Sequence, residues 1–135
     1  MYEQADAKGG QARIVHNLGF IAQHKGQLAE AHALFLESLE DFRELGNHRG
    51  IAECLAGLAG LAAEQGKFAW AVPLLSAAEK QLHAFGGAWW PADRVEIERA
   101  RQRMETALSE KFDELWALGQ TMGVEEAIDY ATTGS

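Results

Sequence analysis

Apolar positions along this chain recur in a helical rhythm that glycine interrupts at regular intervals. Ile14, Val15, Leu18, Ile21 and Ala22 return every few residues until Lys25-Gly26 breaks the pattern. A second series, Leu28, Ala31, Leu34, Phe35, Leu39, Phe42 and Leu45, stops at Gly46-Asn47. The plan then repeats. Ile51, Cys54, Leu55, Leu58, Leu61 and Ala62 lead to Gln65-Gly66, and Phe68, Ala71, Leu74, Leu75, Ala78, Leu82 and Phe85 lead to Gly86-Gly87. At a constant offset of 40 residues, LGFIAQHKGQLAEA from Leu18 lies over LAGLAAEQGKFAWA from Leu58. Each unit predicts a helix, a tight turn and an antiparallel helix. Gly26, Gly46, Gly66 and Gly86 mark the helix ends, where a left-handed residue is common and glycine adopts it at little cost.

Small residues add a packing expectation. Gly19, Ala22 and Ala31 in the first unit, and Ala59, Ala62 and Ala71 in the second, fall where two helix backbones approach closely, with Phe20, Phe35 and Leu75 filling the space beside them. Leu55 to Ala63 is apolar on more than one face and is expected to lie between neighbouring helices. Beyond the second unit the pattern diverges. Trp90-Pro91-Ala92-Asp93 opens a helix with proline near the first turn and acid beside its positive end, and Ile97, Ala100, Met104, Ala107 and Leu108 form its apolar face. Ser109 is expected to cap a helix carrying Phe112, Leu115, Trp116 and Leu118, and Gly123 precedes a last short helix with Val124, Ala127, Ile128 and Tyr130. One all-α domain is expected, with units at 10–47, 48–87 and 88–122 and a capping helix at 123–135. Residues 1–9 read as the tail of a preceding second helix or an N-terminal extension.

Composition narrows the partners. With 20 acidic and 12 basic side chains the chain carries a net charge of -8, so its surface repels nucleic-acid phosphates and anionic lipid. Neither is an expected partner. The single cysteine, Cys54, has no intramolecular disulfide partner, and no apolar run nears the length of a membrane span, so a cytoplasmic protein is expected.

The repeated residues resemble those of the tetratricopeptide repeat family: Val15, Leu18-Gly19, Ala22, Ala31, Phe35 and Ser38 in one unit, and Leu55, Leu58-Ala59, Ala62, Ala71, Leu75 and Ala78 in the next. The spacing of 40 residues exceeds the family's usual ~34, and the large first-helix aromatic and closing proline are missing. The longer spacing is similar to arrays in large bacterial multidomain regulators. The resemblance implies an α-α superhelix, a solenoid of antiparallel helix pairs, acting as a non-enzymatic scaffold for a peptide or protein partner. A small molecule sensed in the same groove is the alternative. It also implies that the inner wall is lined by Arg13, His16, Phe20, Gln23 and His24 from one unit and by Glu53, Ala56, Gly60, Ala63 and Glu64 from the next. Arrays of this kind need a cap at each end, so an uncapped first face is expected either to continue an array in a longer regulator or to favour a homodimer.

Candidate chemistry is otherwise sparse. His16, His24 and His32 are spaced by eight residues and divided by the turn at Gly26, without a metal-ligand motif, so no metal or other cofactor is expected. Cys54 takes the core-facing position of Ile14 and reads as an inert thiol. The run DRVEIERARQRME reads as a solvated face laced with weak ion pairs. Trp70 stands where the first unit has Glu30, so it and the neighbouring Trp89 and Trp90 are expected to offer an exposed interface.

Overall fold

The computed structural model describes residues 2–133. Among these residues the chain forms seven helices: α1 (Tyr2–His24), α2 (Leu28–Leu45), α3 (His48–Glu64), α4 (Phe68–Ala84), α5 (Pro91–Leu108), α6 (Lys111–Gln120) and α7 (Val124–Thr133). The four spaced glycines, Gly26, Gly46, Gly66 and Gly86, all have φ between 67° and 78°, the left-handed conformation that ends each helix. The helix after Gly46 is capped by Asn47, whose side chain accepts from the Gly50 amide at 2.9 Å.

Helices α1 and α2 pack along each other, as do α3 and α4, and α2 packs against α3 to join the two hairpins. The small residues permit this. A Cβ on Gly19 would stand 2.9 Å from the Phe35 ring, one on Gly57 would stand 3.0 Å from the same ring, and one on Gly50 would reach 2.4 Å from Phe42. Phe35, Phe42, Leu55, Leu58, Leu74 and Leu75 fill the resulting core. A buried polar thread stitches three helices together. The Cys54 thiol donates to Ser38 Oγ at 3.4 Å, and Ser38 donates to the Ala12 carbonyl at 2.8 Å.

Three features depart from the repeat arithmetic. Residues 2–9 continue into α1 as one helix, rather than forming the tail of a separate preceding helix. The third unit does not close into a hairpin like the first two: α6 packs along α4, whereas α5 touches α6 only lightly and lies against α3 and α4. Ser109 does not cap α6 with its side chain; it ends α5 at φ 51°, an uncommon conformation for a residue with a Cβ. The last helix, α7, packs on α3 and α4, and its Glu125 pairs with Arg43 of α2 at 2.6 Å. Helix α3 is thereby covered on nearly every side, as its all-round apolar sequence requires. No helix among the described residues is long and apolar enough to cross a membrane.

Candidate functional site

Three helices each turn one stripe toward a shared cavity of about 500 Å³. Helix α1 contributes His16, Phe20, Gln23 and His24, residues that a helical repeat places on one face. The floor comes from α3, where Ala56, Gly57 and Gly60 leave open space between Glu53 and Glu64. Asp93, Glu96, Ile97, Ala100 and Arg103 of α5, with Trp89 just before it, form the third wall. The volume lies within the range of pockets that hold small ligands or a few residues of peptide.

Polar contacts hold this frame. Gln23 Nε2 donates to Glu64 Oε1 at 2.8 Å, His24 Nε2 lies 3.1 Å from Glu96 Oε1, and Arg103 reaches the Ala63 carbonyl at 3.4 Å. Gln23 Oε1 and Glu53 Oε2 are buried and find no hydrogen-bond donor among the described residues, leaving two acceptors unmatched in cavity-lining side chains. Charged groups of both signs line the cavity. Near the start of α5, burial raises the Asp93 carboxyl above the usual range, and the charges of Glu53 and Glu96 raise it further. Arg99 and Arg103 stand later on the same helix.

The predicted wall residues have separate fates. Phe20, Gln23, His24, Glu53, Ala56, Gly60 and Glu64 all line the cavity. His16 lines it too but is buried, and desolvation, with a smaller push from Arg13, lowers its pKa to about 4. Its neutral ring packs edge-on to Phe20, and Nδ1 sits 3.5 Å from the Cys54 sulfur. Because the thiol proton already goes to Ser38, an Nδ1–H tautomer of His16 completes the thread. Arg13 borders a smaller adjoining recess instead, where it binds Glu53 and stacks over the Phe42 ring at 5.2 Å. It is therefore occupied within the fold. Ala63 is wholly buried and offers only its carbonyl, to Arg103.

Trp70 is not the open contact that its alignment with Glu30 suggests. Tyr130 of α7 stacks on it, with ring centroids 5.3 Å apart and planes 14° from parallel, and Tyr130 Oη donates to the Trp70 carbonyl at 2.7 Å. The last helix covers that surface. Trp89 lines the cavity, and Trp90 is exposed with the Arg49 guanidinium 4.5 Å over its ring. The cysteine is buried, with its thiol pushed up to about 12 chiefly by desolvation. Among the described residues no cluster of His, Cys, Asp or Glu could hold a metal ion.

The α5 wall is what the sequence concealed. The charged run from Asp93 reads as a solvent face, yet Asp93, Ile97 and Ala100 belong to one stripe whose polar members face the cavity. Of the apolar face read from the sequence, Ile97, Ala100, Met104, Ala107 and Leu108, Met104 alone becomes fully buried, and nothing local to α5 signals the cavity.

Paired antiparallel helices, joined in series and offering a groove along their first helices, define a helical-repeat interaction protein. The tetratricopeptide repeat model matches residues 10–81, more than half of the chain, and the chain belongs to that family. Repeats of this family generally mediate contacts between proteins and are typically not enzymes. No curated protein and no solved structure matches the chain.

Proposed function

We propose that this chain is a non-enzymatic binding module that receives a short segment of a protein partner in the cavity between α1, α3 and α5, within a cytoplasmic bacterial regulatory protein. The cavity is the observation that carries this reading. Its lining includes an apolar part, with Phe20 from α1, Ile97 and Ala100 from α5, and Gly57 and Gly60 from α3, against which an apolar side chain of the segment can be buried. A basic group directed at Asp93 would relieve the electrostatic cost recorded by that raised carboxyl. A donor at Gln23 Oε1 would satisfy one of the two unmatched acceptors.

The volume of about 500 Å³ and the α5 wall favour a second reading, a compact small molecule bound in the same place. Thermal unfolding in the presence of two collections, random short peptides and polar metabolites, separates the two. The peptide reading expects stabilisation only by peptides that combine an apolar residue with a basic one. Stabilisation by metabolites alone would replace it with the sensor reading, and stabilisation by neither would remove the cavity from the account.

A further inference from the structure

We propose that the outward face of α1 is an interface between two copies of this chain, packed antiparallel about a two-fold axis near Leu18. Ile14, Leu18 and Ile21 fall one or two turns apart on that face and are 59%, 46% and 51% exposed. Their counterparts one unit later, Cys54, Leu58 and Leu61, are fully buried. Helix α2 covers them, with Phe42 against Gly50, Phe35 against Gly57 and Ser38 against Cys54. The same apolar stripe is therefore written twice and covered once.

Two properties identify a second copy as the cover. From Ala7 to Lys25 the chain contains no Asp or Glu, although it carries a net charge of -8 and α2 exposes Glu30, Glu37 and Glu40. Two such acidic molecules can meet along α1 without opposing carboxylates, which they cannot do along α2. The stripe is also self-complementary. Reversing α1 about Leu18 brings Leu18 against itself and Gln11 opposite Lys25, and it sets Ile14 and Ile21 of the two copies within one residue of each other along the axis. That is the exchange of contacts a closed two-fold interface requires. The exposed Gly10 and Asn17 beside the stripe are small enough to let the helices approach.

Sedimentation of the full chain tests the proposal. A stripe on one helix buries less than a standard interface, so the chain is expected at twice its monomer mass of 14.8 kDa at about 100 µM, and to dissociate on dilution. Leu18→Glu places two carboxylates at the axis and is expected to give a monomer with unchanged helix content, whereas Ala33→Glu on α2 leaves the dimer intact. Leu18→Cys is expected to form a disulfide-linked dimer on oxidation, with buried Cys54 not competing. A wild-type monomer at every concentration overturns the proposal. So does a dimer that survives Leu18→Glu, an open-ended series of larger species, or a Leu18→Cys chain that does not cross-link.

Discussion

Two residues show how little slack the fold leaves. A Cβ on Gly119 would stand 2.2 Å from the Pro73 carbonyl oxygen and 2.5 Å from Ser76 Cβ, so α6 must move away from α4 to admit it. Ser76 donates to the Trp116 carbonyl at 2.6 Å, and Gln120 donates to Ser76 Oγ at 2.8 Å, so that shift would also break the bonds joining the two helices. Gly119→Ala is expected to lose about 2–3 kcal/mol in a urea titration, at the upper end for overpacking. His16 makes stability depend on pH. Its folded pKa of about 4 lies below the ordinary 6.5, so the unfolded chain binds a proton that the folded chain refuses. The resulting contribution is fully present above pH 6.5 and is lost as pH falls from there toward 4, by about 3 kcal/mol in all. Urea midpoints of wild type and His16→Gln, compared across that window, check this; the variant is expected to show the shallower decline.

At the scale of elements, the helices fall into two groups. Helices α3 and α4 are buried along most of their length, while α5 buries Met104 alone. Amide hydrogen exchange is therefore expected to be slowest in α3 and α4 and fastest in α5 among the helices from α2 to α6, because opening α5 exposes little apolar surface. Helix α7 behaves differently despite its ten residues, since Ala127, Ile128 and Ala131 are buried against the stack. Ile128→Ala is expected to cost roughly 2–4 kcal/mol in the same titration, far more than a change on α5 such as Val95→Ala. The division also explains which elements the sequence disclosed. Helices α1 to α4 are written in apolar periodicity and glycine stops, both local signals, so their pairing and their glycine-marked ends can be read directly, while the start of α1, which no such stop marks, cannot. Where α5, α6 and α7 dock depends on partners distant in the chain. Tyr130 reaches Trp70, and Asp93 senses Glu53, and neither contact leaves a local pattern.

Across the whole molecule, repetition makes the scaffold and departures from it shape the cavity. Gly19, Ala22 and Ala31, like their counterparts Ala59, Ala62 and Ala71, are buried where hairpins pack. The positions that differ do other work: Phe20 walls the cavity and Gly60 leaves its floor open. The wall contributed by α1 and α3 was legible because it follows the repeat. The wall contributed by α5 was not, because a helix that breaks the repeat can be placed only by its tertiary contacts. Gly60 offers the most direct test of the binding account, since a Cβ there would have only Gln23 Nε2 nearby, at 3.7 Å. A phenylalanine at this position fills the cavity from a helix interior, where it is a better helix former than glycine. The decisive measurement is calorimetric titration of the tightest peptide selected on the wild-type protein into wild type and Gly60→Phe, with their melting temperatures compared alongside. Gly60→Phe is expected to bind the peptide about tenfold more weakly, a loss of about 1.4 kcal/mol, while melting no lower than wild type. Equal affinity in the two proteins would contradict the account.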